Sequence, residues 1–215
     1  MTEHNSIEIF STLEDLVHPQ HTALLIYDMQ VGIVRQVADG PAILDKVLTL
    51  VEAARRAHIR ILFTRHMSLP KEWMGAFQYR MAMAWQHRDD PADVSAPFLR
   101  DSPNFQLTPE LQPRPSEAIF DKLAMSAFEG TPLQFALRDA GIRSFLIAGI
   151  ALEIGIEPTC RHAADLGLIP ILVRDACGAG NPEVADKCVA TLQHMGDTIL
   201  TDLATVTSLL AKLPG

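Results

Sequence analysis

Short runs of apolar residues alternate along the chain with segments in which apolar residues recur every three or four positions. An uninterrupted apolar run is typical of a strand buried on both faces, and the three-to-four spacing is typical of a helix that packs on a sheet. Such an alternation predicts an α/β fold with a mostly parallel sheet and helices on both faces. The pattern predicts strands at 22–27, 59–64, 118–121, 145–148, 169–173 and 198–201, and helices at 41–57, 72–86, 131–140, 153–166, 182–195 and 203–213.

A single domain is predicted for residues 1–215, because no linker, repeat or low-complexity segment interrupts the alternation. Two segments depart from it. Residues 1–20 form a polar leader with a short amphipathic piece, 7–16, which is interpreted as a capping helix or an arm onto a neighbouring subunit. Residues 67–113 hold both tryptophans and several prolines. Long excursions in compact domains are usually functional or disordered, and the aromatic residues here favour an ordered segment that covers a pocket.

The stretch SFLIAGIALEIGIEPTCRHAADLGLIPILVRDACGAG, residues 144–180, contains the clearest unit. Its first apolar run is broken by Gly149, its helix is closed by Gly167, and its second apolar run ends at Arg174 and Asp175. Strand, helix and strand in this spacing predict one βαβ unit of a parallel sheet. Ligands of open α/β sheets bind where strands end and helices begin. We therefore expect chemistry at the GIALEIG turn, residues 149–155.

Charge, composition and the lack of certain motifs argue against several classes of function for this chain. The net charge is −8 and the sequence pI is about 5.4, which disfavours binding to nucleic acid or to anionic membranes. No apolar run approaches the roughly 20 residues of a membrane span, and no glycine-rich phosphate loop is present. The N-terminus is neither basic nor apolar, and the three cysteines form no CxxC pair, so a cytoplasmic location is expected. With nucleic acid and membranes disfavoured, the expected partner is a small-molecule substrate.

Two charged residues follow or end predicted strands. Asp28 comes directly after the strand 22–27, and Lys122 follows the strand 118–121. The carboxyl ends of parallel strands meet at one edge of a sheet, so both side chains are expected beside the 149–155 turn. An ammonium group next to a carboxylate orients it, which makes the pair a candidate for acid–base chemistry.

Five segments resemble the isochorismatase-like hydrolase superfamily, which includes isochorismatases, nicotinamidases and N-carbamoylsarcosine amidohydrolases. The segments are TALLIYDMQ (22–30), ILFTRH (61–66), FDKLAMSAFEGTPL (120–133), LIAGIALEIGIEPTCRHAADLG (146–167) and ILVRDACGA (171–179). The resemblance implies a Rossmann-like, three-layer α/β/α fold whose six strands have the order 3-2-1-4-5-6. It also implies that the protein forms a homo-oligomer, either a dimer or a tetramer.

The same resemblance implies a catalytic role for Asp28 and Lys122, and a cis peptide between Ile150 and Ala151. It places Gly155 where the cysteine members carry their nucleophile. Cys160 is not a replacement, because it lies about 7.5 Å farther along a helix and roughly 140° around it. Cys160 and Cys177 are therefore expected to be core residues, or a pocket wall in the second case.

Without a thiol, the covalent route of the cysteine members is lost. The isochorismatase branch also has Gly at this position, and resemblance to it implies that Asp28 protonates a vinyl ether before water adds. Isochorismate itself is not the expected substrate, because Ala151 and Glu153 stand where that branch tends to carry an aromatic residue and a histidine. Glu153 is expected either to hold a water molecule or to cap the helix that follows.

No metal or other cofactor is predicted, since the Thr64-Arg65-His66 segment lacks the Asp-x-His arrangement of metal-binding nicotinamidases. Arg80 suits a substrate carboxylate. The alternative for its helix is that the methionine and tryptophan side chains pack in the core or at a subunit interface. The predicted substrate-binding residues are Gln30, Gln78, Arg80, Trp85, Gln86, Phe128, Ile150 and Ala151.

Three functions are compatible with these residues. The first is hydrolysis of a small organic acid or ether, with Asp28 as general acid or base and no covalent intermediate. The second is amide or carbamoyl hydrolysis by a water molecule that Glu153 and Asp28 hold. The third is an inactive relative that binds a metabolite or serves as a scaffold. The presence of both Asp28 and Lys122 favours an active enzyme.

Overall fold

The computed structural model describes residues 2–5, 7–10 and 12–213. A hairpin of two short strands, β1 (Thr2–His4) and β2 (Ile7–Ile9), is followed by the helix α1 (Leu13–Leu16). The remaining elements are β3 (Thr22–Tyr27), α2 (Val31–Val34), α3 (Gly40–Arg56), β4 (Arg60–His66), α4 (Ala76–Gln86), β5 (Ala118–Lys122), α5 (Leu133–Asp139), β6 (Ser144–Ile150), α6 (Glu157–Asp165), β7 (Ile169–Gly178), α7 (Pro182–Met195), β8 (Ile199–Thr201) and α8 (Leu203–Leu210).

Six of these strands form one parallel sheet in the order β5-β4-β3-β6-β7-β8. Counted by themselves along the chain, the six strands have the order 3-2-1-4-5-6. The predicted α/β class is confirmed. All six residues of β3 are buried, as their uninterrupted apolar run predicts for a central strand. In the register, Tyr27 pairs with Gly149 and His66 pairs with Lys122, so the ends of four strands meet at one edge.

Helices cover both faces of the sheet. Alternate side chains of a strand point to opposite faces, and β3 follows this rule. Leu24 and Ile26 pack in a core cluster with α3 and α8, whereas Leu25 and Tyr27 pack in a second cluster with α5, α6 and α7. These two clusters make the molecule a three-layer structure with the sheet in the middle.

The amphipathic piece predicted at 7–16 does not form one helix. Its first part is strand β2, which pairs antiparallel with β1, and only Leu13–Leu16 is helical. Ile7 and Ile9 are 64% and 46% exposed, so their side chains find no core to pack on, and the backbone hydrogen bonds to β1 hold the segment instead.

Two element boundaries in the βαβ unit of residues 144–180 also differ from the prediction. The helix expected at 153–166 begins with a π-helical turn, Leu152–Ile156, before regular α-helix starts at Glu157. Strand β7 runs on to Gly178 rather than ending at Arg174 and Asp175. A register shift between Ile147 and Gly149 lets β7 resume its pairing with β6 at Cys177.

The excursion at 67–113 is ordered, as predicted, and part of it packs on the carboxyl edge of the sheet. Its second half buries Phe98, Phe105 and Leu111. A backbone hydrogen bond from Thr108 N to Met29 O, at 3.0 Å, joins the excursion to the segment that follows β3. In contrast, α4 has no buried residue, and its Trp85 is 48% exposed, so the core packing considered for this helix is wrong. Within the described residues, no helix combines the length and the apolar character that crossing a membrane requires.

Candidate active site

Asp28 and Lys122 meet at the carboxyl edge of the sheet. Asp28 follows β3, Lys122 ends β5, and strand β4 lies between them, so the long lysine side chain spans the gap. Lys122 Nζ lies 2.7 Å from Asp28 Oδ2. Asp28 is 3% exposed and Lys122 2%. The two residues selected from the ends of predicted strands therefore form one buried ion pair.

Thr64 fixes the second oxygen of this carboxylate. Its hydroxyl donates to Asp28 Oδ1 at 2.7 Å and accepts from Asp28 N at 3.2 Å. The backbone of Asp28 has φ +47°, a left-handed conformation that non-glycine residues seldom adopt. Each oxygen of the Asp28 carboxylate thus has its own partner, and the orientation of the group is set by three strand ends.

Gly155 lies where the resemblance places the family nucleophile, and Tyr27 fills the space beside it. A Cβ atom added to Gly155 would overlap the hydroxyl and ring of Tyr27, with ring atom Cε1 at 2.7 Å. The Tyr27 hydroxyl donates to Met125 O. Burial raises the pKa of Tyr27 well above 10, so this phenol stays protonated near neutral pH. Tyr27 is not among the residues predicted for the site, although it is the one aromatic residue of β3.

The three cysteines offer no replacement thiolate. Cys160 and Cys177 are buried in the core cluster that contains α6 and α7, as expected from the sequence. Burial raises the pKa of Cys160 and raises that of Cys177 to about 12. Burial also raises the pKa of Cys188. A thiol must ionise to act as a nucleophile, and these three are held in the neutral form at neutral pH.

The turn after β6 has the cis peptide between Ile150 and Ala151 that the resemblance implies. Gly149 precedes it with φ +131°, and a Cβ there would collide with Tyr27 O, so only glycine fits. The N–H groups of Gly155 and Ile156 both donate to Ala151 O, at 3.1 and 3.2 Å. These two groups are therefore engaged inside the turn and do not form an oxyanion hole.

Glu153 faces the segment before α7. Its Oε1 accepts from Asn181 N at 2.6 Å, so the carboxylate joins the π-helical turn to that segment and does not cap its own helix. Its Oε2 is buried and has no hydrogen-bond partner among the described residues. One oxygen is thus structural, and the other is free to hold a water molecule.

Gln30 and Phe128, two of the predicted substrate-binding residues, have structural contacts instead. Gln30 is fully buried, and its amide donates to His66 O and Phe105 O and accepts from His66 N. It therefore ties β4 to the excursion and has no group left for a substrate. Phe128 is 5% exposed and packs edge-on against Phe145 in the core.

Among the described residues, no hydrogen bond or ion pair joins the four residues predicted on α4 to Asp28 or Lys122. Gln86 is used by Ser95, whose backbone N–H and hydroxyl donate to its Oε1. Arg80 is exposed and lines a surface groove with Lys71 and Tyr79. Trp85 is largely exposed, and Gln78 has a buried Oε1 without a hydrogen-bond partner among the described residues. Apolar spacing alone does not reveal that this helix lies outside the core.

The end of β4 does not fit the metal site of nicotinamidases. Thr64 stands where the first ligand would be, and its hydroxyl is used by Asp28. The neighbouring residue, Arg65, is a cation that pairs with Asp121 at 2.8 Å and provides no metal ligand. Across residues 2–5, 7–10 and 12–213, no group of three His, Cys, Asp or Glu side chains is arranged to hold a metal ion.

His66 should make the protein less stable in mild acid. Burial, together with the charge of Lys122, lowers the pKa of His66 from 6.5 to about 4. The unfolded chain therefore binds the extra proton between these values, and the free energy of unfolding falls as pH drops from 6.5 towards 4. At pH 5 the loss from this residue is about 2 kcal/mol. Urea unfolding of wild type and His66→Gln at pH 7 and 5 measures it as the difference between the two proteins' pH responses. Equal responses would show that His66 titrates normally.

Comparisons with known proteins show the family and the fold. The family model described as the Isochorismatase domain matches residues 22–203. The ureidoacrylate amidohydrolase RutB of Enterobacter sp. (strain 638) is 28% identical over 184 residues, which cover 79% of this chain and 80% of that protein.

Two solved structures show the same fold. A cysteine hydrolase from Pseudomonas syringae pv. phaseolicola 1448A has a TM-score of 0.74 at 22% identity, covering 93% of this chain and 96% of that one. An isochorismatase family protein from Desulfovibrio vulgaris subsp. vulgaris str. Hildenborough has a TM-score of 0.75 at 21% identity, covering 90% and 100%.

Proposed function

The chain belongs to the isochorismatase family of hydrolases, and from this premise we propose that it hydrolyses a small organic molecule by direct addition of water. Asp28 acts as the general acid and base, and no covalent enzyme intermediate forms. One observation carries the proposal. The buried ion pair of Asp28 and Lys122 is intact at 2.7 Å, whereas Gly155, where the resemblance places the family nucleophile, has Tyr27 against it.

The pair supplies a proton at a fixed place. Lys122 Nζ and Asp28 Oδ2 form an ion pair at 2.7 Å, and Thr64 holds Oδ1, so a proton that moves from Nζ to Oδ2 lies on an oriented carboxyl group. A positioned acid or base of this kind contributes about 10²- to 10⁴-fold to a rate. After water has attacked, the same carboxylate takes the proton that the water loses, and the pair returns to its starting state.

The first candidate substrate is a vinyl ether. Proton transfer from Asp28 to the terminal carbon of the double bond leaves a cation stabilised by the ether oxygen. Water adds to that cation, gives its proton to Asp28, and the resulting hemiketal separates into an alcohol and a carbonyl compound. Gly155, which the isochorismatase branch also carries, favours this candidate. No thiol is needed at any step.

The second candidate substrate has an amide or carbamoyl C–N bond. The ureidoacrylate amidohydrolase similar to this chain acts on a compound of that kind, which favours the candidate. Asp28 would take a proton from the attacking water, and Glu153 would hold that water through its unpartnered Oε2. Attack on the carbonyl carbon would form a tetrahedral intermediate, and a proton returned to the nitrogen would release the amine.

Replacing Glu153 with Gln separates the two candidates. Gln keeps an oxygen that accepts from Asn181 N, so the turn should stay folded. For a vinyl ether substrate we expect kcat within about threefold of wild type, because Glu153 takes no part in proton transfer. For C–N hydrolysis the carboxylate oxygen that holds the water is replaced by an amide nitrogen, the water loses its position, and kcat should fall by about 10²-fold. The kcat values of wild type and Glu153→Gln are compared from initial rates on whichever substrate a hydrolysis screen identifies.

A hydrolysis screen tests the proposed function. The panel holds vinyl ethers, including isochorismate, beside nicotinamide and N-carbamoyl compounds, and each is incubated with wild type and with Asp28→Asn. Turnover of a vinyl ether that disappears in Asp28→Asn supports the leading candidate. Turnover of a C–N compound that disappears in Asp28→Asn supports the second. Turnover that survives the substitution would overturn the role of Asp28.

A homo-oligomer and a cytoplasmic location remain predictions. The exposure of Trp73, Phe77 and Trp85, on and before α4, agrees with a helix that packs on a second copy of the chain. The helix has no buried residue in the single chain, which supports the same proposal.

A further inference from the structure

Tyr27 and Gly155 fit each other as a pair. The three atoms that lie nearest to a Cβ added at residue 155 all belong to Tyr27, namely its hydroxyl oxygen and two ring carbons. Tyr27 has little freedom to move aside, because it is 2% exposed and its hydroxyl donates to Met125 O. A side chain at residue 155 therefore requires a smaller residue at position 27.

The same tyrosine ring supports Lys122. The ammonium nitrogen of Lys122 lies 4.3 Å from the centre of the Tyr27 ring, 2.7 Å from Asp28 Oδ2 and 3.2 Å from Ala124 O. A cation over the face of an aromatic ring is attracted by the ring's negative face, and the attraction is larger where water is excluded. The ring thus fixes the third side of an ammonium group whose other two contacts are oxygen atoms.

We infer that Tyr27 is a positioning residue matched to Gly155. Its ring takes the space that the family's cysteine side chain would need, and it holds the Lys122 ammonium against Asp28. The absence of a nucleophile is then set by two residues rather than by Gly155 alone. The link to turnover rests on the proposed function, whereas the steric match and the position of Lys122 do not.

A double-mutant cycle tests the steric match. Melting temperatures are measured for wild type, Gly155→Cys, Tyr27→Val and the double variant Tyr27→Val/Gly155→Cys. Overpacking by Gly155→Cys alone should lower Tm by about 5 °C or more. In the double variant the same Gly155→Cys change should cost less than about 2 °C relative to Tyr27→Val, because the space is then open. Gly75→Cys is the matched control, since a Cβ at Gly75 meets nothing within 4 Å.

The steric match is overturned if Gly155→Cys has the same Tm as wild type, or if the Tm changes of the two single variants add up to that of the double variant. Iodoacetamide labelling adds a second readout. The introduced thiol should be alkylated in the double variant. Rapid alkylation of the introduced thiol in a folded Gly155→Cys protein whose Tm equals that of wild type would contradict the match.

The position of Lys122 has its own spectroscopic readout. A lysine over an aromatic ring has its side-chain methylene protons shifted upfield by the ring current. We expect that shift in wild type and in Tyr27→Phe, and its loss in Tyr27→Val, as measured by carbon–proton NMR of labelled lysine. In the turnover assay Tyr27→Val should lower kcat about tenfold with KM little changed, and Tyr27→Phe should retain it.

Absence of the upfield shift in wild type, or equal kcat losses in Tyr27→Phe and Tyr27→Val, would overturn the positioning role. A protein that shows no turnover in the screen, but keeps the thermal coupling and the ring-current shift, would contradict the proposed function and leave this inference standing.

Discussion

Asp28→Asn is expected to lower kcat by about 10³-fold while the protein stays folded. The amide leaves the Lys122 ammonium buried without a counter-charge, which lowers the stability. It has nearly the shape of the carboxylate, however, and its oxygen can still accept from Thr64 or Lys122, the two side-chain partners of Asp28 among the described residues, so the protein should stay folded. What the amide lacks is the ability to exchange a proton with the substrate and with water. Initial rates over a range of substrate concentrations, with folding checked by circular dichroism, measure the effect.

Asp121→Asn is the matched control for this experiment. Asp121 also lies at the end of β5, next to Lys122, but its carboxylate pairs with Arg65 at 2.8 Å and with Arg100 at 3.6 Å. The same chemical change there should leave kcat within about threefold, because the group is outside the proposed proton path. Equal losses of kcat in Asp28→Asn and Asp121→Asn would show that removing any carboxylate at this edge of the sheet lowers the rate, and that Asp28 has no special role.

Lys122→Met is expected to give the largest loss of stability. Methionine has a similar length and fills the same space, but it leaves the Asp28 carboxylate buried without its cation. Removing one partner of a buried ion pair typically costs about 3–5 kcal/mol, a large part of the 5–15 kcal/mol that holds an ordinary domain folded. Urea unfolding at pH 7 measures the free energy of unfolding, and kcat should fall together with it.

Two further variants decide whether the cost comes from burial. Lys46→Met breaks the pair of Lys46 with Asp175, whose side chains are 42% and 41% exposed, and should cost no more than about 1 kcal/mol. The double variant Asp28→Asn/Lys122→Met leaves no charge buried, so it should be more stable than Lys122→Met alone. A loss below about 1 kcal/mol in Lys122→Met would mean that water or another group compensates Asp28.

The fold and the ion pair were accessible from sequence for a simple physical reason. Strands buried on both faces leave uninterrupted apolar runs, and parallel strands bring their carboxyl ends to one edge. Asp28 and Lys122 could therefore be selected although they lie 94 positions apart in the sequence. Family resemblance added the cis peptide between Ile150 and Ala151, which periodicity does not encode.

The remaining features depend on packing between distant segments. In the sequence, Tyr27 is the last residue of an apolar run and gives no sign of a special role. Only the structure shows that it occupies the space beside Gly155. Gln30 follows Asp28 by two positions, yet its amide is hydrogen-bonded to backbone groups of β4 and of the excursion. The apolar spacing of α4 resembles that of a core helix, and sequence gives no sign that its Trp85 faces outward.

The most direct test of the central proposal is turnover by a chain without cysteine. The variant carries Cys160→Ala, Cys177→Ala and Cys188→Ser, and its kcat is compared with that of wild type on the substrate found in the screen. Direct addition of water driven by Asp28 predicts kcat within about threefold of wild type, provided that circular dichroism shows a folded protein. Loss of turnover in a folded cysteine-free chain would mean that a thiol takes part in the chemistry, and would contradict hydrolysis without a covalent intermediate.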